Sequence, residues 1–457
     1  MKRNPRPPGP PGHLLIGNFP LGTRDPLQHF SEWARQYGDI FYYRAFTIRV
    51  FFLNRPEIIE SVLVSRAGEF AKGRGLQANR RLFGNGLLTS EGDFWRRQRK
   101  LCQPFFHRDR VEAYGEVMVK HAQRMLDGWH DGEVRGFHRD MSDLTLGIVA
   151  KVLFGAESVG MIEEARRAVG PIMKFNTRGW ILVPLLRYLP TPLTVRYRFA
   201  VRRLERIVHA ILHEHERKTG SDDLLSGLRL ARDENGKAMS ERQLRDEVMT
   251  LLLAGHETTA LALCWTFYLL ARNPAEEVKL LEEIERVLGT RPPRASDLAH
   301  LPSAGRVVRE SLRLYPPAYA IARLATRDST VGGFHVPRGA SLVMSQWVMH
   351  RDPRYFEKPE EFMPDRWTDE FTRRLPNFAY FPFGGGPRVC IGASFAMTEA
   401  VLLLVTILQR FHVELAPGQT ISPLPAITLR PKGGIKVIVR RRRSAGLNTL
   451  AAEPGAL

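Results

Sequence analysis

The sequence predicts a mainly α-helical protein with a minor β region. Apolar residues recur at helical spacing through most of the chain, and proline and glycine separate the periodic segments. Aromatic and β-branched residues, which favour strands, are concentrated in a few short stretches. The sequence contains no internal repeat, so we expect a single domain over residues 13–443. A proline-rich segment at 1–12 precedes it, and a weakly hydrophobic tail at 444–457 is expected to be disordered.

The predicted elements follow from these periodicities in chain order. Strand-like composition occurs at residues 40–53, 328–346 and 434–440, where aromatic and β-branched residues cluster. Helical periodicity predicts helices at residues 26–37, 93–103, 110–128, 140–154, 196–218, 241–272, 274–288, 304–314 and 391–410.

The helix predicted at 241–272 is the most informative of these elements. Ser240 and Gln243 form a capping box at its start, and the Asn273-Pro274 pair ends it. At 1.5 Å per residue it is about 48 Å long, enough to cross a domain, and its apolar character on nearly every face predicts burial. Its centre nevertheless reads Ala-Gly-His-Glu-Thr-Thr over 254–259, a poor choice for a buried helix. This conflict indicates a functional segment.

The composition restricts the possible partners and the class of metal site. The net charge of +19 favours an acidic redox protein, an anionic membrane surface or nucleic acid, but the basic residues are dispersed and no nucleic-acid motif is present. Cys102, Cys264 and Cys390 are far apart, which excludes a disulfide framework and a closely spaced zinc or iron–sulfur site. No run of 18 apolar residues and no signal peptide occurs, so we expect a cytoplasmic protein.

The strongest local motif runs from Phe383 to Gly392, FGGGPRVCIG. Three consecutive glycines permit positive φ angles and a close approach of the backbone to a flat group. They lead to Cys390, which immediately precedes a predicted helix, where free N–H groups favour a thiolate. A cysteine presented in this way suits a single-sulfur metal site. Taken alone, the loop is equally compatible with a structural cysteine in a glycine-rich turn.

This loop resembles the haem-binding loop of the cytochrome P450 family, Phe-x-x-Gly-x-Arg-x-Cys-x-Gly. Every position of the pattern is filled, and the resemblance implies that Cys390 is the axial thiolate of the iron. It also implies the family's fold, a triangular prism of helices around a buried haem b, with a long central helix. The loop residues expected to contact the haem besides Cys390 are Phe383, Gly384, Gly386, Arg388 and Gly392.

Two further motifs of the family occur in the expected order. Glu310 and Arg313 lie three apart on one helical face, and Arg366, within Pro364-Asp365-Arg366-Trp367, is expected to join them in a structural network that holds the cysteine loop. In isolation such a pair is usually a surface salt bridge. Asp365 and Trp367 stand where the family commonly has Glu and Phe.

Several residues resemble ligands of the haem propionates. Trp95 and Arg99, four apart on a helix, match the family's Trp-x-x-x-Arg motif, while Arg388 and Arg323 match positions that supply further cations. His350 also matches a family position, but the sequence assigns it no chemistry.

The centre of the long helix resembles the family's oxygen-binding stretch. In this interpretation Ala254 and Gly255 open space, the Thr258 hydroxyl turns toward dioxygen, and Glu257 is the adjacent acid for proton delivery. His256 is expected to pack in the interior rather than to act as a ligand.

The resemblance implies a monooxygenase that inserts one atom of dioxygen into a C–H bond of a lipophilic molecule: a fatty acid, terpenoid, steroid or polyene. The apolar stretch at 180–193 is expected to roof the substrate pocket, to touch a membrane surface peripherally, or simply to pack. No flavin or ferredoxin domain is recognisable, so electrons are expected from an acidic ferredoxin or flavodoxin served by an NAD(P)H-dependent reductase. Arg96, Arg97 and Lys100 are candidate docking residues, and a monomer is expected.

Three other functions remain open at this point. A peroxide-driven peroxygenase would need no redox partner, but such relatives typically lack an acid–alcohol pair like Glu257 and Thr258. A haem-thiolate isomerase or dehydratase would tolerate loss of Thr258, and a non-catalytic haem protein or gas sensor would need a signalling surface. The proline-rich start is either native or the hinge of a trimmed membrane anchor.

Overall fold

The computed structural model describes residues 6–18, 25–155, 159–179, 189–216 and 223–442. Within these residues the α-helices are α1 Pro26–Tyr37, α2 Pro56–Glu60, α3 Arg74–Ala78, α4 Arg80–Phe83, α5 Gly92–Cys102, α6 Arg108–Asp127, α7 Phe137–Phe154, α8 Val159–Gly179, α9 Pro192–Glu216, α10 Leu224–Leu230, α11 Glu241–Arg272, α12 Pro274–Leu288, α13 Pro302–Leu314, α14 Gln346–Met349, α15 Asp369–Arg374 and α16 Ala393–Arg410. The strands are β1 Ile40–Ala45, β2 Ile48–Leu53, β3 Phe70–Lys72, β4 Glu133–Gly136, β5 Ile321–Ala325, β6 Ser329–Val331, β7 Phe334–Val336, β8 Ser341–Met344, β9 Phe411–Leu415, β10 Pro423–Pro425, β11 Leu429–Pro431 and β12 Lys436–Arg441.

The predicted fold class is confirmed, and the long helices lie where periodicity placed them. The bounds predicted for α1, α11 and α12 are those observed, and the other predicted helices differ by a few residues at their ends. Helices α8 and α10 were not predicted. Glycines and a proline weaken the helical periodicity of α8, and α10 is too short to give a clear periodic signal. The predicted strand at 40–53 is a hairpin of two strands that turns at Phe46, a residue with positive φ.

The β region comprises one five-stranded sheet and three smaller sheets. The large sheet has the order β1-β2-β8-β5-β3, in which β2 and β8 are parallel and the other neighbours antiparallel. The β3–β5 pair sets Lys72 opposite Arg323, residues 251 positions apart in the sequence. Strands β4, β12 and β9 form the second sheet, and β10–β11 and β6–β7 are hairpins.

The core is built around α11, the helix that the sequence marked as buried on every face. It packs against α7, α9, α13 and α16, and the largest buried cluster includes Trp265 and Phe267 from its C-terminal half. Both hydrogen bonds of the predicted capping box are present, from Gln243 N to Ser240 Oγ (3.3 Å) and from Ser240 N to Gln243 Oε1 (2.7 Å). Burial by neighbouring helices explains the apolar composition.

Two described helices, α11 and α16, are long and apolar enough to cross a membrane by length and composition. In both, most of the apolar window is buried inside the protein (83% for α11 and 67% for α16), as is usual for core helices. Their hydropathy is therefore explained by the core.

Candidate functional site

The loop that ends at Cys390 has the backbone that its glycines predicted. Gly384 and Gly386 have φ of +73° and +67°, and a Cβ on Gly386 would lie 1.9 Å from the Leu63 carbonyl oxygen. Gly385 is extended, but a Cβ there would meet the Phe378 ring at 2.1 Å. The Cys390 N–H donates to the Phe383 carbonyl (2.9 Å), which closes the loop just before α16. The fold therefore presents one cysteine on a tightly packed turn.

The Cys390 thiol differs from the other two cysteines in its surroundings. Cys102 and Cys264 are buried, and burial raises their thiol pKa well above the usual value. Cys390 is accessible, yet desolvation by the surrounding protein also raises the pKa of its thiol. The Gly392 N–H and the Arg99 charge act in the opposite direction and lower this pKa. A side chain that is both accessible and desolvated lines an internal space rather than the outer surface. This is the position required of an axial ligand.

Helix α5 connects this loop to the propionate-ligand candidates. Arg99 Nη1 donates to the Val389 carbonyl (2.7 Å), next to Cys390. Trp95, one turn earlier on α5, is buried, and two cations lie over its ring: Lys72 Nζ at 5.6 Å and Arg388 Cζ at 5.5 Å from the centroid. The structure therefore brings together Trp95, Arg99 and Arg388, as the sequence predicted.

Positive charge exceeds negative charge around Trp95. Burial, together with the charges of Arg388 and Arg323, lowers the pKa of Lys72 to about 7, although the charge of Glu91 acts in the opposite direction. Burial likewise lowers the pKa of Arg323 to about 10. Glu91 Oε2 accepts from Arg388 Nη2 (2.6 Å), and no other carboxylate lies within ion-pair distance of these cations in the described part of the chain. Lys72 and Glu91 were missed by the sequence analysis, because only the β3–β5 register reveals Lys72.

These residues fit a haem. An accessible thiol is a suitable ligand for iron, and a buried excess of cations is suited to two propionates. Among the described residues, Arg388 Nε is buried without a hydrogen-bond partner and the Arg323 side chain donates only to the Ala322 carbonyl, so both retain donors for an anion. No cluster of three or more potential metal-ligating His, Cys, Asp or Glu residues occurs among the described residues.

The centre of α11 differs in two details from the expected oxygen-binding geometry. The Thr258 hydroxyl donates to the Ala254 carbonyl (2.9 Å) instead of turning away from the helix, because a helical threonine readily bonds the carbonyl one turn back. Gly255 faces α7, where a Cβ would lie 3.2 Å from Val149 Cγ2. Its observed role is close packing of α11 on α7, and its role toward oxygen stays a prediction.

Glu257 is buried and ionised. Arg430 Nη2 lies 2.6 Å from its Oε1 and His138 Nε2 3.5 Å from the same atom. Burial alone would raise the Glu257 pKa, but His138, Arg430 and His256 together hold it below its usual value. His256 is buried, burial lowers its pKa, and its Nδ1 lies 2.7 Å from the Leu252 carbonyl oxygen, consistent with a packing role. Arg430 and His138 were not identified from the sequence.

A second buried acid, Glu399 on α16, was also missed. Its side chain is fully buried, and neither carboxyl oxygen has a hydrogen-bond partner of ordinary geometry among the described residues. Burial raises its pKa to about 8, although the nearby Thr259 hydroxyl, which donates to the Gly255 carbonyl (3.3 Å), acts in the opposite direction. Glu399 is therefore neutral at pH 7, in contrast to Glu257.

The predicted Glu310 network forms and is fully buried. Glu310 Oε2 accepts from Arg313 Nε and Trp367 Nε1 (both 2.9 Å), and Oε1 accepts from Arg313 Nη2 (2.8 Å), Arg366 Nε (2.9 Å) and the Met363 N–H (3.0 Å). The remaining Arg313 donors reach the carbonyls of residues 350, 359 and 361. This saturation pins the segment before the cysteine loop to α13.

His350 extends this network to the cysteine loop. Burial lowers its pKa well below the usual value, so the ring is neutral, and its Nε2 accepts from the Phe381 N–H (2.9 Å). Phe381 in turn accepts from the Gly384 N–H (2.9 Å). His350, to which the sequence assigned no chemistry, therefore has a structural role.

The proposed basic docking residues are all paired with acids. Arg97 lies 2.5 Å from Asp233, and Lys100 and Arg96 form ion pairs with Glu234 and Asp93. Their charge is thus largely neutralised locally. The apolar stretch at 180–193 lies mostly outside the described residues, as does the whole tail at 444–457.

Comparisons with known proteins agree with this site. A family model described as "Cytochrome P450" matches residues 7–439. The chain is 36% identical to "Cyclooctatin synthase" of Streptomyces melanosporofaciens over 92% of each chain. It is 34% identical to "Pentalenene oxygenase" of Streptomyces avermitilis (91% of this chain, 93% of the other). It is also 34% identical to "Cyclooctat-9-en-7-ol 5-monooxygenase" of Streptomyces melanosporofaciens (90% of each). The "cytochrome P450DA heme domain" crystal structure superposes with a TM-score of 0.87 at 27% identity, covering 97% of this chain and 99% of that one.

Proposed function

The chain belongs to the cytochrome P450 family and is a monooxygenase of that family, and from this premise we propose that it hydroxylates a cyclic terpenoid with electrons from a separate redox protein. The observation that carries the proposal is the accessible but desolvated thiol of Cys390 on the loop before α16, beside the cations around Trp95. This arrangement suits a thiolate-ligated haem and not a structural cysteine.

Each residue of the site has a role in binding haem b. Cys390 would hold the iron, and Arg99, Arg323, Arg388 and Lys72 would bind the propionates. When bound, the haem supplies dioxygen activation, and a thiolate ligand favours cleavage of the O–O bond. The chain's own task is to keep Cys390 as a thiolate, which the Gly392 N–H and the Arg99 charge favour.

Proton supply is the second task of the protein. The Thr258 hydroxyl, now bonded to the Ala254 carbonyl, would exchange this bond for one toward the oxygen side. Because Glu257 is ionised, it must first receive a proton before it can donate one. Glu399 on α16 is neutral and lies next to Thr259 of α11. It therefore supports a second source of protons from the α16 side.

The relatives support the substrate class. Two of them are named for oxidation of pentalenene and of cyclooctat-9-en-7-ol, and terpenoids are among the lipophilic classes that the apolar stretch at 180–193 favours. A large apolar substrate with few polar groups would be held by shape and burial.

The redox partner is proposed on charge. The net charge of +19 favours an acidic ferredoxin or flavodoxin. Arg96, Arg97 and Lys100 are already paired with Asp93, Asp233 and Glu234, so a redox partner must compete with these acids for the three cations. We therefore expect salt to weaken the association strongly.

Turnover with two oxidant systems tests the proposal. Purified holoprotein is incubated with a panel of cyclic terpenoid hydrocarbons and alcohols, either with dioxygen and a ferredoxin–reductase system or with hydrogen peroxide alone. We expect a hydroxylated product in the first system and substrate-induced shifts of haem absorption. Turnover with peroxide alone would instead indicate a peroxygenase, and turnover of fatty acids but of no terpenoid would refute the substrate class.

A further inference from the structure

Basic side chains from three different elements approach Glu257. Arg430 on β11 approaches Oε1 at 2.6 Å, His138 at the start of α7 at 3.5 Å, and His256 on α11 approaches Oε2 at 3.9 Å. The Glu257 side chain is only 2% exposed, so it cannot take protons directly from bulk water. One of its neighbours must pass them.

Only one of these three neighbours can both transfer a proton and reach solvent. Arg430 stays protonated in proteins, so it neutralises charge but transfers no proton. The ring of His256 is 1% exposed and its Nδ1 is engaged with the Leu252 carbonyl oxygen. His138 is 25% exposed, and an imidazole ring can accept a proton on one nitrogen and release one from the other.

The two ring nitrogens of His138 face different environments. Nε2 is buried, has no hydrogen bond of ordinary geometry, and is the atom that lies near Glu257 Oε1. Nδ1 makes no hydrogen bond within the described part of the chain and is not among its buried unpaired atoms, and the side chain as a whole is 25% exposed. A histidine can therefore take a proton on Nδ1 and give one up from Nε2.

We propose that His138 is the residue through which protons from bulk water reach Glu257; this inference rests on the proposed monooxygenase function, which consumes protons. In the transfer, the neutral His138 ring, which carries its proton on Nε2, first takes a second proton from water at Nδ1. The Nε2–H bond then breaks as an O–H bond forms at Glu257 Oε1, which leaves the ring proton on Nδ1. Rotation of the ring or proton exchange with water restores the Nε2–H form before the next transfer. No electron moves, and the net result is one proton delivered from solvent to the acid beside Thr258.

Other charged groups near this pair are engaged elsewhere. Asp140, two residues after His138, lies 2.6 Å from Arg135 Nε. Asp143, further along α7, faces Arg166 at 3.5 Å, and burial raises its pKa. The Cys264 thiol on α11 is kept neutral by burial, which raises its pKa. Among the described groups, Glu257 is therefore the acceptor that faces His138 Nε2.

Two substitutions separate the charge of His138 from its ability to transfer a proton. His138→Gln removes both. His138→Lys restores a positive charge, but an ordinary lysine releases its proton only near pH 10, about 3 units above the working range. His130→Gln is the matched control, because His130 is an exposed histidine whose Nδ1 lies 3.8 Å from the carboxylate of Glu133 instead of Glu257.

Infrared difference spectroscopy measures the first expected effect without turnover. The Glu257 carboxylate band is identified by its loss in Glu257→Gln, and its titration is followed in the holoprotein. Because His138 is one of the groups that lower the Glu257 pKa, His138→Gln should move protonation of this band to higher pH. His138→Lys and His130→Gln should leave it near the wild-type position.

Turnover measures the second effect. At neutral pH both His138 variants should lose at least about tenfold in product formation per electron consumed, since a positioned acid–base group contributes about 100-fold or more.

The outcomes are separable. An unchanged Glu257 titration in His138→Gln overturns the inference whatever the turnover. Wild-type coupling in His138→Lys also overturns it, because charge alone would then be sufficient. If the wild-type protein oxidises no substrate, the proposed function fails, and the infrared titration still decides whether His138 controls Glu257.

Discussion

Replacing Glu310 with glutamine tests the physical basis of the cysteine loop most directly. The carboxylate is fully buried, accepts five hydrogen bonds, and faces two guanidinium groups, from Arg313 and Arg366. Glutamine has nearly the same shape as glutamate but no charge. Its NH₂ group would take the place of a carboxylate oxygen that accepts hydrogen bonds, and it would therefore face N–H donors. The variant leaves Arg313, itself 0% exposed, as a buried cation without a counter-ion.

The expected cost follows from this burial. Removing one partner of a buried ion pair destabilises proteins by about 3–5 kcal/mol, a large share of the total of about 5–15 kcal/mol. Glu112→Gln is the matched control: Glu112 also pairs with an arginine at 2.9 Å, but the two side chains are 44% and 85% exposed. An exposed pair of this kind contributes about 0–1 kcal/mol.

Urea unfolding of the haem-loaded proteins, followed by far-ultraviolet circular dichroism and by haem absorption, measures both variants. Glu310→Gln should lower the midpoint strongly at unchanged slope, and Glu112→Gln should hardly move it. The haem signal should be lost at lower urea than the helical signal in Glu310→Gln, because the segment that holds Cys390 loses its anchor first. A loss below about 1 kcal/mol in Glu310→Gln would refute the reasoning.

Three further predictions concern the site. Cys390→Ser should abolish the long-wavelength absorption band of the reduced, carbon-monoxide-treated protein; its persistence would exclude Cys390 as the ligand. Thr258→Ala should retain haem but release more hydrogen peroxide per electron consumed, and unchanged coupling would remove Thr258 from the proton path. Burial raises the pKa of Glu399 from 4.5 to about 8. Between these two pH values the folded protein keeps a proton that the unfolded chain has lost, so the stability that Glu399 contributes falls as pH rises through this range. Glu399→Gln should therefore match the wild type at pH 5 but exceed it at pH 8 by more than about 1 kcal/mol, since one pKa unit equals about 1.4 kcal/mol; equal urea midpoints at pH 8 would contradict the buried, neutral state.

The site was predictable wherever one short segment carries the information. The loop before Cys390 contains its own glycines, and the bonds between Glu310, Arg313 and Arg366 need only a helix face and one neighbouring segment. Trp95 and Arg99 could be placed together for the same reason, since they lie one helical turn apart.

Residues whose importance depends on distant partners were not predictable. Lys72 joins the cations around Trp95 because β3 pairs with β5, and the sequence of β3 gives no sign of this register. Arg430 reaches Glu257 from the hairpin β10–β11, more than 170 positions away, and His138 does so from the start of α7. A lone histidine or arginine in such a segment resembles many solvated residues.

The sequence by itself determined the long helices and the buried central helix, and it predicts the thiol ligand, because backbone conformation and local periodicity depend on neighbours within a few residues. Only the tertiary structure decided the protonation states: Glu257 is an anion and Glu399 a neutral acid, although both are glutamates in apolar helices. Burial acts on both carboxyls, but only Glu257 has cations brought to it by other elements. A charge state is set by the surroundings in space, and folding alone brings those surroundings together.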